Sequence, residues 1–174
     1  MIGTPEETLQ EAYQNIRSDL AAEILESIKG NSPPFFERLV VDLMKALGYG
    51  GFRPDAGKVT GQSRDEGIDG LINEDILGLD VIYLQAKRWD GTVGRPEIHK
   101  FVGALQGQKA KKGVFITTGR FSEDAVKYVE HIESKVKLID GRTLSELMID
   151  HDVGISTTNT YKIKKIDTDY FMEE

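Results

Sequence analysis

GIDGLINEDILGLDVIYLQAK, residues 67–87, is the stretch on which the fold turns. Gly67 to Ile72 begins a strand, Asn73 to Leu79 reads as a turn, and the chain then enters DVIYLQAKRW. Here Val81, Tyr83 and Gln85 alternate with Ile82, Leu84 and Ala86. Both sets are largely apolar at the start, so neither face of this strand is built to meet water, and the pattern predicts an interior strand. The polarity arrives only at its end. Residues two apart on a strand face the same way, so Gln85 and Lys87 point together, toward whatever Asp69 reaches on the neighbouring strand.

Outward from this centre the elements alternate. On the N-terminal side, Leu9, Tyr13, Ile16, Leu20, Ile24 and Ile28 recur at three- and four-residue steps, predicting an amphipathic helix from Pro5 to about Lys29. Gly30 and Asn31 stop it. Ser32 is the expected N-cap of a second helix with Pro33 at its first position, and Phe36, Leu39, Val40, Leu43, Met44 and Leu47 form its buried stripe. The glycine-rich GFRPDAGKVTGQSRDEGIDG reads as a short strand, a loop and the start of the next strand.

On the C-terminal side, Ile98, Phe101, Val102 and Leu105 mark a third helix, with Gly103, Ala104 and Gly107 small enough for close packing. Val114 to Ile116 is a short apolar strand ending in Thr117 and Thr118, Ser122 caps a further helix, VKLID is a strand, and Arg142 to Ile149 a helix. TYKIKKI alternates and is expected as a late edge strand. A hairpin-like trio of strands followed by alternating units predicts an α/β fold with a mixed sheet flanked by helices. The expected division is an N-terminal helical arm over residues 1–30 and a core over 31–174, with the boundary near Gly30 to Pro34.

The 174 residues suffice for one core and are short for two. With 39% hydrophobic and 29% charged residues the composition is that of a globular chain. An acidic start, MIGTPEETLQEAY, and the lack of a bilayer-length apolar run make a cytoplasmic location, without membrane contact, the expectation. There is no cysteine, which removes disulfides, thiolate metal sites and a cysteine nucleophile. His99, His131 and His151 have no ligand-pair spacing, so any metal must be held by oxygen. A net charge of −7 argues against a surface that binds nucleic acid everywhere, but leaves room for a local basic groove drawing on Lys58, Arg64, Arg88, Arg95, Lys100, Lys109, Lys111 and Lys112.

Asp69, Gln85 and Lys87 together place a carboxylate, an amide oxygen and an ammonium in one small volume. Such a set suits phosphodiester hydrolysis assisted by a hard divalent ion, Mg²⁺ or Mn²⁺, with Asp69 and Gln85 as ligands, the Ala86 carbonyl as a further oxygen, and Lys87 assisting the attacking water. Glu37, beside Phe36 on the second helix, offers the negative charge that Gln85 lacks; it is equally the surface carboxylate that most helices carry. Singly, Asp69 could satisfy backbone amides and Lys87 could be a solvated strand end. As a pair in an apolar strand, Gln85 and Lys87 have no packing reason to be there. Trp89 could stack on a base or pack beside the strand end, and Thr117 could touch phosphate or simply close its strand.

FFERLVVDLMKALGYGG, KVTGQSRDEGIDG, VIYLQAKRW, VGRPEIHKFVGAL and KGVFITTGRFSEDA, in this order from Pro5 to near the C-terminus, together resemble the catalytic domain of the Mrr-like type IV restriction enzymes. The resemblance implies a restriction-endonuclease-like PD-(D/E)xK core in its Q-x-K variant, with Asp69 the metal aspartate, Gln85 and Lys87 the Q-x-K pair and Glu37 the helix-borne acid. It implies a metal-dependent DNA endonuclease acting on modified, double-stranded DNA, assembled as a homodimer or higher homo-oligomer, with the base-reading domain outside this chain. Lys58, Arg64, Arg88, Trp89, Arg95 and Thr117 are the expected DNA contacts. Where the family pattern often reads Gly-Asp-Gly-Gly-Ile-Asp, this chain has Arg64-Asp65-Glu66-Gly67-Ile68-Asp69. That departure, with Gln85, motivates a rival expectation of a DNA-binding module that does not cut; a junction- or end-processing nuclease is the enzymatic alternative.

Overall fold

The computed structural model describes residues 3–53 and 67–172. Lys58 and Arg64, and the rest of the loop that departs from the family pattern before Gly67, lie outside the described residues. The elements are α1 (Pro5–Gly30), α2 (Pro33–Ala46), β1 (Gly51–Arg53), β2 (Gly67–Asn73), β3 (Val81–Lys87), β4 (Thr92–Val93), α3 (Arg95–Gly107), β5 (Lys112–Thr117), β6 (Arg120–Phe121), α4 (Glu123–Glu130), β7 (Lys135–Ile139) and α5 (Gly141–Asp150), in the expected order apart from β4, β6 and the late strand. The very short β4 and β6 pair with each other and were not foreseen. Two residues are too few to leave a periodic signal.

Five strands form one mixed sheet in the order β1-β2-β3-β5-β7. The β1–β2–β3 meander is antiparallel, while β3, β5 and β7 run parallel. Parallel neighbours need a crossover, and α3 and α4 supply the two. β3 thus sits in the middle of the sheet, as its two apolar faces require. Ile82, Leu84 and Ala86 enter a core with Ile24, Ile28, Phe36, Leu43 and Leu144, from α1, α2 and α5. Tyr83 on the other face enters a second core with Phe101 of α3 and Phe115 of β5. Each of the two apolar series read from the sequence therefore has its own layer of helices to bury it.

Local chemistry sets the helix starts. Thr4 and Glu7 form a reciprocal capping box on α1, and Ser32 caps α2 with proline at the start of the helix. Asp140 accepts a hydrogen bond from the Thr143 amide at 2.8 Å and starts α5 immediately after β7. An Asp140→Ala protein is expected to lose about 1 kcal/mol of stability, read as a lower urea midpoint with an unchanged denaturant slope.

The helix expected as an arm is of two kinds along its length. Leu9, Tyr13 and Ile16 are exposed, whereas Ile24 and Ile28 are buried in the larger core, and Arg17 bridges to Asp150 of α5 at 2.5 Å. Two expectations are corrected. TYKIKKI forms no strand: residues 160–166 are exposed, Tyr161 by 80% and Ile163 by 72%, because no neighbouring strand takes up their backbone groups. Gly103, Ala104 and Gly107 do not serve close packing, since all three are exposed and a Cβ added at Gly103 or Gly107 would meet nothing within 4 Å. The close approach between α3 and the sheet is made instead at Gly113 of β5, where a Cβ would fall 2.5 Å from Leu105 and 2.7 Å from Phe101.

Candidate active site

The register of β2 and β3 brings the predicted pair together: Asp69 is directly opposite Gln85, and Gly67 opposite Lys87. Opposed residues of an antiparallel pair occupy the same face of the sheet, and Lys87 lies two residues beyond Gln85. Asp69, Gln85 and Lys87 therefore share one face at one end of the central strand pair. It is the face of Tyr83, covered by α3.

Lys87 is held there by a residue that the sequence reading overlooked. Its ammonium donates to Glu97 Oε2 at 3.0 Å, and the other carboxylate oxygen, Oε1, accepts from Lys100 at 3.0 Å. Glu97 stands in the first turn of α3. Because α3 follows β3 in a crossover, its first turn begins near the end of the strand it leaves. That geometry, with an acid ten positions after the candidate lysine, was the available signal. The side chains of Lys87 and Glu97 are only 13% and 24% exposed, whereas Lys100 is 76% exposed. The hydrogen bond from Lys100, and next that from Lys87, holds the Glu97 carboxyl below its ordinary value of 4.5. A carboxyl lowered on folding stabilises the fold fully above its unfolded value, and that contribution is lost as pH falls through the lower folded value. Glu97→Gln is thus expected to reduce the loss of melting temperature on acidification below about pH 4.5, in a thermal-denaturation series at stepped pH.

The loop after β3 is knitted to the end of β5. Thr118 N–H donates to the Lys87 carbonyl at 3.4 Å, Thr118 Oγ1 to the Trp89 carbonyl at 3.1 Å, and Arg120 N–H to the Gly91 carbonyl at 3.2 Å. Gly119 permits this approach, since a Cβ there would lie 2.1 Å from the Gly91 oxygen and 2.5 Å from that of Trp89. On the other side, Arg88 donates to the Asn31 carbonyl and Lys29 meets Asp90 at 3.5 Å, so the α1–α2 turn is fixed against the same loop. Glu37 is half-buried a little over one turn into α2, which packs against β2 from the opposite side of the sheet.

The expected DNA contacts divide. Trp89 is 45% exposed, with the Lys87 ammonium 5.6 Å from its ring centroid, within cation–π range. Arg95 is exposed, its guanidinium 5.0 Å over Tyr128 of α4. Arg88 is half-buried and engaged with the α1–α2 turn. Thr117 is a correction: it is fully buried and its hydroxyl accepts from the Gly119 amide at 3.2 Å, so it closes the strand and does not meet a ligand in solvent. Lys112, an expected groove residue, is tied to Glu74 and Asp80 at the other end of β3.

Known proteins resemble this chain in sequence and fold. The family model Mrr_cat, described as a restriction endonuclease, matches residues 28–148. The chain is 48% identical over 168 residues to the type IV methyl-directed restriction enzyme EcoKMrr of Escherichia coli (strain K12), covering 97% of this chain and 54% of that protein. It therefore spans about half the length of that relative. Two solved structures share the fold at low identity. The MspJI restriction endonuclease in complex with a 27-mer oligonucleotide aligns with a TM-score of 0.55 and 22% identity over 74% of this chain and 31% of that one. The DNA modification-dependent restriction endonuclease AspBHI aligns with a TM-score of 0.50 and 19% identity over 80% of this chain and 36% of that one. With a sheet of the same kind, a match over more than half its length and close sequence kinship, this chain belongs to the Mrr_cat family of restriction endonucleases.

Proposed function

We propose that this chain is the catalytic domain of a modification-dependent restriction endonuclease that hydrolyses phosphodiester bonds of double-stranded, methylated DNA with Mg²⁺, or Mn²⁺ in its place. The observation that carries the reading is the direct register of Asp69 with Gln85, with Lys87 two residues on along the same face. The relative named methyl-directed, and the fold neighbour named modification-dependent, support the choice of substrate.

The donor set fits a hard divalent ion. Asp69 offers a carboxylate, Gln85 an amide oxygen and Ala86 a main-chain oxygen, all within two register positions. Glu37 would have to reach this centre from α2 on the opposite side of the sheet, so the donor set is proposed without it. The bound ion supplies charge stabilisation at the scissile phosphate and a more acidic water. The protein's part is positional: Asp69 and Gln85 are backed by the paired strands, and Lys87, two residues on along the same face, would orient the water and the phosphate oxygen. Trp89 and Arg95 are the exposed candidates for DNA contact, and Lys58 and Arg64 further ones from sequence. The arm over residues 1–30 and the catalytic unit over 31–174 remain the proposed division, with base reading assigned to a separate domain.

Cutting both strands requires two such centres, so a homodimer or higher homo-oligomer is proposed. Among the described residues no helix is long and apolar enough to cross a membrane, in keeping with a proposed cytoplasmic location.

Conversion of supercoiled plasmid to nicked and linear forms, with Mg²⁺, Mn²⁺ or chelator, tests the activity. Cutting with either metal and none with chelator is expected. Because Gln85 is neutral where an acid is usual in this fold, a chain that binds DNA without cutting is the second reading, and binding without cleavage under every metal condition would establish it. Preference for branched or linear ends over closed circles would point to a processing nuclease.

A further inference from the structure

We infer that Glu97 is a positioning residue of the active site, which fixes the Lys87 ammonium from the helix side, on the face of the sheet that Gln85 shares. The inference rests on the nuclease reading for its purpose, and on the geometry of Lys87, Glu97 and Lys100 for its substance.

Lys87 is a cation with 13% of its side chain exposed, at the end of an otherwise apolar central strand. A charge so far out of water needs a partner whose geometry is fixed, or it shifts or moves away. Gln85, two residues earlier on the same face of β3, is neutral. Glu97 supplies such a partner from α3, at 3.0 Å.

The arrangement differs from an ordinary surface ion pair in two respects. Lys100 takes the other oxygen of the same carboxylate, also at 3.0 Å, so both oxygens of Glu97 are engaged, one inward and one outward. And α3 is seated by contacts that leave its first turn little freedom: Gly113 lets Phe101 and Leu105 lie flush on β5, and Val93 just before the helix accepts a hydrogen bond from the Ser122 amide at 2.9 Å. A fixed helix therefore holds a fixed carboxylate, which holds the lysine. Lys100, by contrast, sits on the solvent side and secures the outer oxygen alone.

A purely structural ion pair would contribute to stability and nothing more. The two roles separate in a double-mutant cycle. With Mg²⁺ and plasmid, Glu97→Gln is expected to lower kcat on the order of 10²-fold, the scale of an ångström-sized misplacement, with KM changed less than about threefold. In a Lys87→Ala background the same substitution is expected to cost nothing further, because the group it positions is gone. Glu97→Asp, one methylene shorter, should fall between, and Lys100→Ala should lose less than Glu97→Gln.

A second readout needs no metal and no DNA. The side-chain ammonium signal of Lys87 in ¹⁵N-lysine NMR, assigned through Lys87→Arg, should move in Glu97→Gln and hold its position in Lys100→Ala. Unchanged kcat in Glu97→Gln, additive losses in the double variant, or a Lys87 signal indifferent to Glu97 would each overturn the proposal. Should Glu97→Gln fail to fold, Glu97→Asp carries the same tests. If the unsubstituted protein does not cut DNA at all, the nuclease reading falls, while the NMR shift still decides whether Glu97 sets the environment of Lys87.

Discussion

Asp69→Ala and Lys87→Ala are each expected to reduce DNA cleavage by roughly 10²–10⁴-fold, the range of a lost acid–base or charge-stabilising group, while the protein stays folded. The two losses have different origins. Asp69 is the only carboxylate among the three residues that the β2–β3 register aligns, so without it the centre keeps neutral oxygens and a lysine. Its loss should therefore appear as a loss of metal response, with residual cutting insensitive to added Mg²⁺. Lys87→Ala should leave the metal dependence in place and lower the rate at saturating metal. Both variants remove polar groups from the ends of paired strands whose apolar residues stay buried, so circular dichroism should be unchanged, with a modest loss of melting temperature in Lys87→Ala, where Glu97 loses a partner. A Lys87→Ala protein that cut at the unsubstituted rate would remove Lys87 from the site.

Gly119→Ala is expected to damage stability and activity together, from a position outside the proposed donor set. A methyl group there would meet the carbonyl oxygens of Gly91 and Trp89 at 2.1 and 2.5 Å, and both are backbone atoms without a rotamer to escape into. The loop after β3 must then move away from the end of β5. Overpacking of this kind costs about 1–3 kcal/mol, which at roughly 2–4 °C per kcal/mol for a protein of this size gives several degrees of melting temperature. The same movement pulls on Lys87, whose carbonyl accepts from Thr118 in this joint, and on Trp89. Cleavage is expected to fall on the order of tenfold or more, since small displacements of a positioned group are costly in rate. Gly103→Ala is the control: it is exposed on α3 with nothing within 4 Å of the added carbon, and the better helix propensity should leave stability unchanged or raise it by up to ~1 kcal/mol.

The parts legible from sequence were those written into local periodicity. The alternation Val81 to Ala86, apolar on both faces, identified a central strand, and its polar exit at Gln85 and Lys87 marks the proposed site. Ser32 with Pro33 announced α2 because the cap and the fixed proline φ act on immediate neighbours. What failed depended on partners distant in the chain. TYKIKKI has the pattern of a strand, but a strand needs an edge to pair with, and that is a property of the whole sheet. The small residues of α3 suggested a tight helix contact, but the tight spot belongs to Gly113 on the strand beneath. Glu97 reads as an ordinary first-turn acid of a helix until the crossover sets it against Lys87. Thr117 looked like a hydroxyl at an active edge; its burial follows from the closure of β5 onto the loop after β3.

This chain belongs to the Mrr_cat family, and the β2–β3 register aligns the residues proposed to form its centre. The measurement that tests this most directly is cleavage of methylated and unmethylated plasmid, side by side with and without Mg²⁺, with the Asp69→Ala and Lys87→Ala proteins in the same series. The account predicts metal-dependent cutting by the unsubstituted chain, stronger on methylated DNA when the base-reading part is supplied, and lost in both variants. Metal-dependent cutting that survives both substitutions would contradict it.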